Sequence, residues 1–169
     1  MLISECFVPM IPNFHVALYE PDIPHNTGAI ARLCVATHSV LHLVGRLGFH
    51  LDDNRVKRAG LDYWEHADIR RHVDFETCRN AVQPPAEFFL SAHAKRCYTE
   101  ATIPLGSLLV FGSETRGLPK SFIEDERRAF RLPILSDKVR SLNVATVAAV
   151  VLYEALRQNK IDLQQGLQS

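Results

Sequence analysis

FGSETRGLP, Phe111 to Pro119, is the stretch that decides how this chain is read. It follows LGSLLV, Leu105 to Val110, an apolar run that reads as a buried strand continuing to Phe111. A plain strand-to-helix loop needs one turn glycine and a helix cap. Here Gly112 and Gly117 enclose Glu114, Thr115 and Arg116. Gly112 lets a ligand come close to the backbone. Gly117, Leu118 and Pro119 open the next helix, where proline suits the first turn. The plain alternative, a local Glu114–Arg116 ion pair on a surface loop, contributes little. Charge and permissive backbone directly past a buried strand mark a binding loop of an α/β sheet.

Working outward, strands and helices alternate. HVALYE (His15 to Glu20), SVLHLVG (Ser39 to Gly45), EFFLSAH (Glu87 to His93) and Leu105 to Phe111 read as strands, with a short fifth at Arg131 to Leu135. A helix capped by Asn26 or Thr27 follows the first strand. Asp52 to His66 opens with a cap and a polar helical turn, and Asp74 to Val82 is helical. The last element, SLNVATVAAVVLYEALRQ (Ser141 to Gln158), is the clearest helix. Its apolar residues nearly surround the axis, which implies burial on more than one side and a partner chain. The alternation predicts a largely parallel sheet with helices on both faces. Ligands of such sheets sit past the carboxyl ends of the strands, and the loops after Glu20, Phe111 and Leu135 fall there.

The chain has 169 residues, enough for one domain with a full core. Residues 13–169 read as that domain and 1–12 as an extension before the first strand. Lys plus Arg and Asp plus Glu number 19 each, so any nucleic-acid surface has to be a local patch. The four cysteines form no C-x-x-C pair and read as reduced thiols of a cytoplasmic protein. The N-terminus has no basic start and is broken by Glu5 and two prolines, so it is not read as a secretory signal. No apolar run reaches the ~20 residues of a membrane helix.

The common phosphate and nucleophile signatures fail. There is no G-x-G-x-x-G, no G-x-x-x-x-G-K-[ST], and Ser113 is not in a G-x-S-x-G elbow. His38 and His42 stand four apart at a strand start and read as ordinary imidazoles, so no metal site is expected. The first loop, NTGAIARL (Asn26 to Leu33), offers a helix N-terminus as an anion site together with Gly28 and Arg32. Arg32 lies about 9 Å along the helix from Asn26 at the usual rise, so it meets a ligand only if a neighbour closes over that end. The third loop, LPILSDKVRSLNVA (Leu132 to Ala145), carries Ser141 and Asn143 before the last helix, whereas capping alone needs one of them.

N-x-G-x-x-x-R, F-G-x-E-x-x-G-L and I/L-P…S-L-N occur in that order before a long helix, from about His15 to Gln158. In this the chain resembles the SPOUT RNA methyltransferases. AGLDYWEH (Ala59 to His66) and the short length resemble one branch, the tRNA wobble-position (cytidine or uridine 34) 2′-O-methyltransferases.

The resemblance implies a C-terminal trefoil knot, which periodicity alone could not suggest because chains as a rule do not knot. It implies S-adenosylmethionine held by Leu90, Gly112, Leu132 and Ser141, and a homodimer through the C-terminal helix. It assigns catalysis to Arg32, supported by Asn26, Glu114 and Asn143, with no metal. The partner it implies is the anticodon stem-loop of tRNA. For its backbone the candidates are Arg32, Arg55, Lys57 and Arg58; a solvated helix face is the plain reading of the last three. Tyr63 and Trp64 are candidates to stack on an unpaired base, or to pack in the core or dimer seam. Two other functions compete. One is methylation of another tRNA position or of ribosomal RNA. The other is a knotted RNA-binding module without transfer, against which the joint presence of Asn26, Arg32, Glu114, Ser141 and Asn143 argues.

Overall fold

The structure, a computed structural model, describes residues 12–50 and 63–160. The core is a seven-stranded sheet in which every paired neighbour is parallel. In chain order the elements are β1 (His15–Tyr19), α1 (Pro24–Ala36), β2 (Val40–Val44) and β3 (Ile69–His72). Then come α2 (Phe75–Val82), β4 (Glu87–Leu90), β5 (Arg96–Cys97) and β6 (Leu108–Phe111). The chain continues with α3 (Lys120–Ile123), β7 (Ala129–Arg131) and α4 (Val144–Gln158). The strands lie in the order β3-β2-β1-β6-β4-β7-β5.

Burial explains which strands the sequence announces. VLHLV of β2 and LLVF of β6 are buried at every position, as a parallel strand covered on both faces should be. One face of the sheet packs Val16, Leu18, Leu41, Leu43 and Leu109 against α1 and α4. The other packs Ala17, Val44, Phe89 and Val110 with Phe75 and Cys78 of α2 and Phe122 of α3. Helices therefore cover both faces, as expected.

Several expected boundaries move. The fifth expected strand, Arg131 to Leu135, is instead Ala129–Arg131, pairing Phe89 with Ala129 and Leu90 with Phe130. Pro133 lacks the N–H that a ladder needs, so pairing ends before it. The strands β3 and β5 were not expected. IRRH of β3 is polar and half-exposed, and β5 has only two residues, so neither makes an apolar signal. The helix from Asp52 falls largely outside the described residues, and Trp64–His66 is a 3-10 turn. The extension at 1–12 lies outside them except for its last residue.

Helix α1 begins earlier than Asn26 or Thr27. Its N-cap is Ile23, without a side-chain cap bond, and Pro24 occupies the first turn. Asn26 and Thr27 are therefore inside the helix and neither caps it. Helix α4 begins at Val144 rather than Ser141. It buries Ala148, Val151, Leu152, Ala155 and Leu156 and leaves Val150 and Tyr153 37% and 47% exposed.

Leu105 and Leu109 separate the sequence reading of β6 from the observed one. Leu109 is fully buried mid-strand, whereas Leu105, expected at the strand start, is 49% exposed. Urea unfolding should show Leu109→Ala losing about 2–5 kcal/mol and Leu105→Ala less than about 1 kcal/mol.

Candidate active site

A parallel sheet sends all its carboxyl ends to one side, so the turns after β1, β6 and β7 meet there. They enclose a cavity of about 580 Å³. Leu90, Gly112, Leu132 and Ser141 all line it, as do Asn26, Glu114 and Asn143.

One side chain joins the three turns. Asn26, 4% exposed, donates from Nδ2 to Glu114 Oε1 at 2.9 Å and accepts at Oδ1 from Asn143 Nδ2 at 2.9 Å. Asn143 serves twice, because its own Oδ1 caps α4 by accepting from the backbone N–H of Ala145 and Thr146 at 2.9 and 3.3 Å. Glu114 is not paired with Arg116, contrary to the plain reading of that loop. Its other oxygen accepts from the backbone N–H of Asp22 at 2.8 Å. Arg116 turns instead to Glu20 and Asp22, at 3.1 and 3.5 Å.

Asp22 and Ser113 were missed by sequence reasoning. Asp22 Oδ2 accepts from Ser113 Oγ at 2.6 Å and from Thr115 Oγ1 at 2.5 Å. Those two hydroxyls, followed by the Arg116 charge, hold the Asp22 carboxyl below its ordinary range. The Asp22–Ser113 contact spans 91 residues, and neither residue sits in a pattern that sequence spacing could flag.

The glycines set the loop's shape. A Cβ on Gly112 would lie 2.2 Å from the carbonyl carbon of Gly117 and 2.3 Å from the nitrogen of Leu118, both backbone. Gly117 has φ +68° and nothing within 4 Å of a Cβ position, so its need is conformational. Its N–H donates to Ser113 O at 2.8 Å and closes the turn.

Arg32 does not line the cavity. It is exposed, with its guanidinium carbon 4.8 Å from the ring centre of Tyr63. Of the two aromatic candidates, Tyr63 is 41% exposed, while Trp64 packs against the main core. Arg55, Lys57 and Arg58 lie outside the described residues.

The cavity's size and its mixed polar and apolar lining suit a nucleoside-sized ligand. A model of the SpoU rRNA Methylase family matches residues 13–153. This chain belongs to that family. A tRNA (cytidine(34)-2′-O)-methyltransferase of Methylovorus glucosotrophus (strain SIP3-4) is 44% identical over 149 residues, covering 86% of this chain and 96% of its own length. A solved structure concerned with 2-OH methylation of C/U34 on tRNA superposes with a TM-score of 0.82 at 40% identity. It covers 87% of this chain and 96% of its own. The SpoU methyltransferase AviRb of Streptomyces viridochromogenes, solved with AdoMet, shares the fold with a TM-score of 0.76 at 22% identity, covering 91% of this chain and 61% of its own. Among the described residues of this SpoU-family chain, no helix is long and apolar enough to cross a membrane.

Asn26→Asp tests the junction. It keeps the side chain's shape but sets a carboxylate against Glu114, a like-charge pair in a buried place. Calorimetry should show affinity for S-adenosylmethionine reduced at least about tenfold, the scale of breaking one buried hydrogen bond. Gly112→Ala should impair binding more than Gly117→Ala, because only the former drives a Cβ into backbone.

Proposed function

We propose that this SpoU-family chain transfers a methyl group from S-adenosylmethionine to the ribose 2′-oxygen of the wobble nucleotide, position 34, of tRNA. The observation that carries the reading is the single pocket built by the three motif turns. Its four expected cofactor contacts and three supporting polar residues all lie on its wall. Likeness along nearly the whole length to proteins named for this reaction adds the substrate class.

When bound, the cofactor supplies an electrophilic methyl group on a sulfonium. The chain's own residues have two tasks, to position the reactants and to ease loss of a proton from a weakly acidic hydroxyl. Leu90 and Leu132 offer apolar walls, while Gly112 and Ser141 offer backbone and hydroxyl contacts. Glu114, Asn26 and Asn143 fix the turns relative to one another. Arg32 is given no role as the base, because a guanidinium offers donors and no acceptor. It acts as a cation that holds a phosphate or stabilises the developing alkoxide, and the proton leaves to phosphate or water. Because Arg32 stands outside the cavity, the site is completed by what closes over it: RNA or a second copy of the chain.

We assign that second copy to a homodimer built on α4. Val150 and Tyr153 are exposed apolar residues on a helix whose opposite face, Ala148, Val151, Leu152, Ala155 and Leu156, is buried in the core. We also assign a trefoil knot to the C-terminal segment. In support, β7 is inserted between β4 and β5, and the chain then returns past the pocket to lay α4 against α1. The free thiols of Cys34, Cys78 and Cys97 fit a reducing, cytoplasmic location. RNA backbone contacts are assigned to Arg55, Lys57 and Arg58 with Arg32.

Arg32→Lys keeps the charge and loses the planar fork. Transfer to tRNA should fall by at least about a hundredfold, the scale of removing one transition-state donor, with cofactor affinity unchanged. Near-normal turnover would reject both roles given to Arg32. Replacing Arg55, Lys57 and Arg58 together by alanine should weaken tRNA binding and flatten its dependence on salt. A filter-binding series over salt concentration reads both, and an unchanged slope would remove these residues from the interface.

A further inference from the structure

Three imidazoles line up across β1, β2 and β3, and none of them lines the pocket. His42, in the middle of β2, is fully buried. Its Nε2 lies 2.9 Å from Nδ1 of His15 on β1, and its Nδ1 lies 2.8 Å from Nε2 of His72 on β3. Cys78, on α2 above the same face, is also fully buried. His42 thus stands between two further imidazoles, with one ring nitrogen directed at each. The nearby Arg70 is itself neutralised by Asp68, which accepts from it at 3.0 and 2.7 Å. No role in methyl transfer uses any of these residues.

We propose that His42, His72 and Cys78 form a zinc site that ties β2, β3 and α2 together. One ligand atom from each of the three residues lies within 4.8 Å of the others. Zinc bonds of about 2.0–2.1 Å to nitrogen and 2.3 Å to sulfur place tetrahedral ligands roughly 3.3–3.8 Å apart. Closing the set therefore needs the widest separation to shrink by roughly 1–1.5 Å, shared between two side chains. The 2.8 Å contact between His42 and His72 now holds a shared hydrogen. The ion takes its place and the two rings part slightly. His42 then binds through Nδ1 and donates its Nε2–H to His15, the outer hydrogen bond that metal-bound histidines habitually make. His72 binds through Nε2 with its hydrogen on Nδ1. Both imidazoles stay neutral, the Cys78 thiol gives its proton to solvent, and the bound ion keeps one positive charge. Water completes the fourth position from the half-exposed His72 side. Two nitrogens and one thiolate select zinc over magnesium or calcium.

The test uses the tag-free full chain under reducing conditions, with Co²⁺ as the spectroscopic probe and Zn²⁺ as competitor. The expected result is a thiolate-to-cobalt charge-transfer band with tetrahedral ligand-field bands, saturating at one ion per chain and abolished by Zn²⁺. Cys78→Ser should remove the charge-transfer band. His72→Gln, at a half-exposed position that tolerates the change, should weaken Co²⁺ binding more than about tenfold. Circular dichroism of each variant checks that it is folded. Three results each overturn the proposal: no charge-transfer band, a band that survives Cys78→Ser and so belongs to another thiol, or unchanged Co²⁺ affinity in His72→Gln.

Discussion

The architecture of the site depends on the carboxamide of Asn26. Glu114 can only accept, and the Asn143 amide nitrogen can only donate, so the orientation of the Asn26 side chain is fixed from both sides. Burial keeps water from competing for either bond. Through this one group, the turns after β1, β6 and β7 are held in one arrangement although they are 88 and 117 residues apart in sequence. The Asp22 contacts to Ser113, Thr115 and Glu114 brace the same junction from its outer side.

The junction is possible because the sheet is parallel. The register of β1 against β6, with Leu18 opposite Phe111, brings the ends of both strands level. Leu90 of β4 also stands opposite Phe111, and Phe130 of β7 stands opposite Leu90. Four strand ends therefore stand side by side, and their exits make the wall and rim of the cavity. Gly112, the first residue past β6, has to admit the backbone of Gly117 and Leu118 at a distance no side chain would allow.

The buried parts of this arrangement were legible in the sequence. The apolar runs of β1, β2, β4 and β6 and the long last helix announce themselves, because burial on both faces leaves no room for alternation. Of the motif residues, Asn26, Gly112, Glu114, Ser141 and Asn143 line the pocket, and Arg32 does not. What was not legible came from long-range partners. Asn26 and Thr27 look like caps, yet Ile23 and Pro24 start the helix and leave the Asn26 side chain free to reach Glu114. Glu114 and Arg116 look like an ion pair, yet each has a partner from the turn after β1. His42 looks ordinary beside His38, because His15 and His72 lie 27 and 30 residues away and approach only when the strands pair. Edge strands β3 and β5 are too polar or too short to give a period.

A single pocket, walled by all three motif turns, is proposed to receive the methyl donor. Backbone amide shifts followed during titration with S-adenosylmethionine measure this directly. Gly112, Leu132 and Ser141 should all shift and fit a single dissociation constant. Perturbations confined to one of the three turns, or saturating at different concentrations, would contradict a single shared pocket.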